Sequence, residues 1–120
     1  MVISIPGIDT ERALNLYDGD EDIYLIVLKS YVSNIPAVLD KIRSVSAETL
    51  NAYSISAHGI KGTSANIGAV ELQEQAAELE KSAKAGDLAE VLAKNQNFIR
   101  DVEKTINNIK TWLDQNPLSE

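Results

Sequence analysis

Residues 46–68 read SAETLNAYSISAHGIKGTSANIG. Apolar or small residues recur at Leu50, Tyr53, Ala57, Ile60, Ser64 and Ile67, the three-and-four spacing of a helix that turns one stripe to a core. Ser46 is a reasonable N-cap, although the residue three positions on is Thr49 and not Glu, and Gly68 is a natural stop, so a helix is predicted from Ala47 to about Ile67. At about 100° per residue with Leu50 as zero, the stripe occupies about 260° to 360° and His58 falls near 80°. The histidine is therefore roughly 130° from the middle of the stripe and is predicted to stand in solvent at mid-helix. Ser54 and Ala65 share its surface, Lys61 lies between it and the core edge, and Ile55 and Gly62 sit on its far flank. Ser64 reads as a small core residue.

Two glycines in this helix need a reason. Gly59 and Gly62 each cost about 1 kcal/mol of helix propensity relative to alanine, and exposed glycines are poor choices unless something must come close. Lys61, three residues after the histidine, has an ammonium within reach of an anion attached to the imidazole. Ile55 adds apolar surface. Ser54, Ile55, Gly59, Lys61, Gly62 and Ala65 together describe a low-relief, partly apolar patch around a nucleophilic imidazole, suited to docking another protein's active site.

Outward from this segment the chain reads as helix almost throughout. The first ten residues, with Pro6 and Gly7, form an irregular lead, and Asp9 or Thr10 caps a short helix to about Tyr17. Asp18, Gly19 and Asp20 break it, and Asp20 or Glu21 starts the next. Its expected core stripe is Ile23, Ile26, Val27, Tyr31, Ile35, Val38, Leu39 and Ile42, with Tyr24 also read as core. Pro36 inside it predicts a kink or a break near Val32 to Asn34. After Gly68 a helix is expected from about Val70 to Ala85 with Leu72, Ala76, Leu79 and Ala83 on its stripe, ended by Gly86. Asp87 caps the last, whose stripe is Leu88, Val91, Asn95, Phe98, Val102, Ile106, Ile109 and Leu113, running to about Gln115. Short connections force consecutive helices antiparallel. The expected fold is all-α, an antiparallel up-down four-helix bundle with a short additional N-terminal helix, as one domain over residues 1–120.

Composition narrows the chemistry. The 120 residues carry 11 Lys and Arg against 18 Asp and Glu, a formal net charge of -7, with one histidine and no cysteine. A lone His58 cannot supply the ligands of a zinc site, and thiol, disulfide and iron–sulfur chemistry need cysteine. Scattered cations in an acidic chain argue against nucleic-acid binding. The N-terminus lacks the basic start and apolar run of a secretory signal, and the longest apolar run, residues 23–28, is far short of the ~20 residues that span a bilayer. The default expectation is a cytoplasmic chain with no direct membrane contact.

The run from His58 through Gly59, Ile60, Lys61, Gly62, Thr63, Ser64, Ala65, Asn66 and Ile67 to Gly68 resembles the signature of the histidine-containing phosphotransfer (HPt) domain: His, two residues, Lys, Gly, a small pair, and Gly ten positions after the His. Leu79 with Glu80, then Ala83 and the break at Gly86 and Asp87, is similar to the family's next helix. Gly59 departs from the family, where a residue with a side chain commonly follows the histidine, and Ile60 replaces a frequent leucine. The resemblance implies a four-helix bundle with His58 exposed, and a phosphoryl shuttle without ATP-dependent kinase activity. In that role His58 accepts a phosphoryl group from a receiver-domain aspartyl phosphate and passes it to another receiver aspartate. Lys61 would neutralise the phosphohistidine and Gly62 would admit the receiver's loops. An exposed, unprotonated imidazole needs no strong activation for this. Mg²⁺ is expected from the partner receiver, and none is expected to reside in this chain. Expected partners are response-regulator receiver domains and a hybrid sensor histidine kinase, met by a monomer. Either a free-standing carrier, favoured by the start at Met1, or a domain of a larger kinase fits.

Two other readings belong beside this one. A helical adaptor could bind a receiver or kinase without accepting phosphate. A helical enzyme using Glu78 and Glu80 as paired carboxylates is the weaker, because acids two apart on a helix point to different faces and are usually solvated.

Overall fold

The computed structural model describes residues 2–116; Met1 and residues 117–120, the ends of the expected 1–120 domain, lie outside the described residues. Among the described residues five α-helices follow in order: α1 (Thr10–Leu16), α2 (Glu21–Ile42), α3 (Leu50–Ile67), α4 (Val70–Lys84) and α5 (Leu88–Gln115), with a 3-10 turn, Ala47–Thr49, leading into α3. Helix α2 packs against α3 and α5, and α4 packs against the same two, so the four long helices close a bundle, with α1 laid against α3 and α2. Chain direction alternates: Tyr24 and Tyr31 of α2 meet Ile67 and Ser64 of α3, and Gln75 and Glu78 of α4 meet Asp101 and Lys94 of α5. The expected architecture is the observed one.

The helix ends follow from side-chain chemistry. The carboxylates of Asp9, Asp20 and Asp87 accept from the backbone N–H groups of Arg12, Ile23 and Glu90, satisfying donors that the first turn leaves free. At the start of α3, Thr49 Oγ1 accepts from the Ser46 N–H at 2.8 Å, so threonine does what glutamate does in a standard capping box. Gly68 ends α3 in the left-handed region at φ 83°, with Ala69 N–H returning to the Ser64 carbonyl. A Cβ at Gly68 would also collide with the Asp9 carbonyl, whose own N–H donates to Gly68 O at 2.8 Å. Only glycine fits there. The result ties the lead-in segment to the C-terminus of α3.

Pro36 neither breaks nor ends its helix: α2 is continuous from Glu21 to Ile42. Its core stripe differs from the expected one. Tyr24, Leu25, Leu28, Tyr31, Ile35, Leu39 and Ile42 are buried, whereas Ile23 and Ile26 are exposed and Val27 and Val38 are half-buried. Leu25 and Leu28 take the buried positions in place of Ile23 and Ile26, and the expected core tyrosines each bring a hydroxyl that finds a partner inside. Tyr24 donates to the Ile67 carbonyl at 2.8 Å, and Tyr31 Oη lies 3.1 Å from Ser64 Oγ. Burial pushes the Tyr31 hydroxyl up to about 12, with the Ser64 bond pulling the other way. Tyr17, stacked on Tyr24, donates to Asn66 O, so the terminal carbonyls of α3 are satisfied from α1 and α2.

Asn95, on the expected stripe of α5, is buried and fully used: it accepts from Tyr53 Oη and donates to Ile42 O, both at 2.7 Å. Ile3 and Ile5 of the lead-in segment also join the core. Of the described helices α2 alone is long and apolar enough to cross a membrane by length and composition, although its tyrosine-bearing face forms part of the bundle core.

Candidate functional site

His58 stands on the middle of α3 with its side chain 66% exposed, as the wheel requires. It lies at the border with α4, because α4 is the helix packed most extensively against α3. This packing overturns one expectation. Ser54, placed on the open surface around His58, is buried, with its hydroxyl donating to Asn51 O at 2.7 Å, since the flank of α3 that carries it faces α4. Ala65 on the same flank is half-buried. Ile55, Gly59 and Gly62 are exposed, and Lys61 is half-buried between His58 and the core edge. Ser64 is fully buried, as expected of a small core residue.

Glu80 decides the geometry, against the sequence expectation of a solvated acid. Only Glu78 of that pair is solvated; the Glu80 side chain is 6% exposed. Its Oε1 receives Lys61 Nζ at 2.8 Å, and its Oε2 receives both Lys84 Nζ at 2.9 Å and His58 Nδ1 at 3.0 Å. Lys61 lowers the carboxyl pKa most, Lys84 next, and burial opposes both; with a further contribution from His58 the value falls to about 2. A sequence signal existed. Glu80 is only about 70° from the middle of the Leu72, Ala76, Leu79, Ala83 stripe, at the flank of a helix face, and four residues before Lys84.

The pairing fixes the imidazole's chemistry. An ionised carboxylate can only accept, so Nδ1 must be the protonated nitrogen. In the neutral ring, Nε2 then carries the lone pair. A neutral His58 therefore presents an unshared lone pair at Nε2 while its Nδ1 proton stays directed at Glu80.

The site's donors do not fit a resident metal. Glu80 is its one carboxylate, already neutralised by two ammonium groups, and no cluster of three or more His, Asp or Glu side chains suited to a cation occurs among the described residues. The helical glycines have no internal reason either. A Cβ at Gly59 or Gly62 would meet nothing within 4 Å. An open hollow of about 230 Å³ lies beside the ring, lined by Ser54, Ile55, His58, Glu80 and Lys84.

No curated protein and no solved structure matches the chain significantly. The family model of the Hpt domain matches residues 27–94, which takes in most of α2, all of α3 with its histidine, all of α4 and the start of α5. An all-helical bundle that holds its only histidine exposed on the second long helix, within a match covering more than half of the chain, belongs to the Hpt domain family.

Proposed function

We propose that this chain is the histidine phosphotransfer intermediate of a multistep two-component phosphorelay, with His58 Nε2 as the atom that carries the phosphoryl group. The observation that carries this reading is the exposed imidazole whose Nδ1 is engaged by Glu80, leaving a nucleophilic nitrogen on the accessible ring. The lone pair of Nε2 attacks the phosphorus of a receiver's aspartyl phosphate in line, the P–O bond to the aspartyl carboxylate breaks, and that carboxylate leaves. The Nδ1 proton stays directed at Glu80 throughout, so no base has to remove it. Transfer onward is the same step reversed, with a second receiver's aspartate as nucleophile.

Lys61, three residues on, supplies positive charge beside the phosphohistidine, and Ile55, Gly59 and Gly62 form the flat surface against which the receiver closes. The open space over both glycines supports that role, since neither is small for internal reasons. Mg²⁺ belongs to the receiver's acidic pocket, where it offsets charge on the transferring group. The domain meets receivers and a hybrid sensor kinase as a monomer in the cytoplasm.

Incubation with a phosphorylated receiver, followed by intact mass, tests the reading. One acid-labile phosphoryl group is expected on the wild type and none on His58→Ala. An adaptor that never accepts phosphate predicts instead no added mass, and unchanged receiver binding and signalling in His58→Gln.

A further inference from the structure

We propose that Lys84, at the end of α4, is a second phosphoryl-binding cation that leaves Glu80 and closes over the phosphorylated His58. The inference rests on the reading of His58 as the phosphoryl acceptor and adds a residue that the histidine motif, confined to α3, does not contain.

Three observations carry it. Lys84 Nζ and His58 Nδ1 share one oxygen atom, Glu80 Oε2, so the ammonium and the ring are held within two hydrogen-bond lengths of each other. Lys84 is also the freer of the two lysines: its side chain is 65% exposed against 33% for Lys61, which holds the other oxygen from the core side. Finally, Lys84 and His58 line the same open hollow of about 230 Å³.

Charge gives the motion a direction. With a neutral ring, one carboxylate and two ammonium groups leave the cluster with one net positive charge, prepared for an anion. A phosphoryl group brings about -1.5 to -2 charges at neutral pH. Lys84 then has a stronger attractor than the carboxylate oxygen it shares with His58, while Lys61 continues to hold Glu80 through Oε1 and Glu80 continues to accept from Nδ1. A purely structural role would differ. A lysine in the last turn of a helix, paired four residues back, stabilises α4 through the helix dipole and the ion pair without sensing a phosphate.

Phosphoramidate separates these roles without any receiver. Nε2 attacks its phosphorus, the P–N bond of the donor, protonated on nitrogen, breaks, and ammonia leaves. The ³¹P resonance of the resulting phosphohistidine is then titrated in the wild type, Lys84→Ala, Lys84→Gln and Lys84→Arg. Removing a nearby cation should raise the midpoint of the phosphoryl titration by roughly half a pH unit in Lys84→Ala. Lys84→Gln, which keeps a donor for Glu80 but no charge, should behave like Lys84→Ala, and Lys84→Arg should restore the wild-type midpoint. Midpoints unchanged in Lys84→Ala while Lys61→Ala moves, or a Gln variant equal to wild type, would overturn the assignment. Failure of the wild type to form any phosphohistidine would instead overturn the reading of His58 beneath it.

Discussion

A carboxylate that accepts from two ammonium groups and an imidazole N–H has little reason to take up a proton, and this makes Glu80 a pH-dependent fastener between α3 and α4. Its pKa, lowered from 4.5 to about 2, means that its stabilising contribution is complete above the unfolded value and is lost as pH falls through the folded one. Glu80→Gln should therefore cost about 1–2 kcal/mol at neutral pH, at the lower end for charge-assisted bonds because Lys84 is exposed. That gap should shrink as the pH falls from about 4.5 toward 2. Urea unfolding of both proteins across this range checks it, and a gap independent of pH would contradict ion pairing as its source. The residue scale is also where the sequence was least sufficient. His58, Lys61 and the glycines lie on one helix, and a wheel orders them. Glu80 and Lys84 enter the site from another helix, and no periodicity within α4 reports which flank of α3 it will cover. For the same reason Ser54 was read as surface when α4 in fact buries it.

Along α3 and its C-terminal cap, one substitution should act with opposite signs at two glycines. Gly68 has a positive φ and faces the Asp9 carbonyl, so Gly68→Ala combines about 1–3 kcal/mol of backbone strain with a steric conflict that must push the lead-in segment away. Gly62 has ordinary helical geometry and open space, so Gly62→Ala should stabilise by about 1 kcal/mol. Thermal unfolding measures both signs. If Gly62 is kept small for a partner, the stabilised Gly62→Ala protein should lose at least tenfold in phosphotransfer from a receiver while reacting normally with phosphoramidate. Equal transfer by wild type and variant would remove that explanation of the glycine. The helix ends were legible because caps and stops are local: Asp9, Asp20, Ser46, Gly68, Gly86 and Asp87 all stand where the chain changes direction. The phase of α2 was not, because Ile23 and Ile26 are as hydrophobic as the Leu25 and Leu28 buried in their place, and only packing against α3 and α5 decides between them.

At the scale of the whole molecule, the bundle holds one imidazole, its Nδ1 directed at Glu80, at the border of two helices. The net charge of -7 does not describe the site, where two lysines outnumber one carboxylate beside the imidazole. The proposed docking on carboxylate-rich receiver pockets works against the net charge, and this local reversal of sign together with the apolar surface of Ile55 is what would favour it. The fold could be read from sequence since four helical stripes joined by short connections admit few arrangements, whereas the sign and tautomer of the site depend on contacts between them. Both meet in His58 Nε2, the proposed acceptor of the phosphoryl group. The direct measurement is transfer from a phosphorylated receiver to ¹⁵N-labelled protein, followed by long-range ¹H–¹⁵N and ³¹P NMR of His58. The account predicts an unmodified ring protonated at Nδ1, then a single phosphoryl group bonded to Nε2; a phosphoryl group on Nδ1, or none on His58, would contradict it.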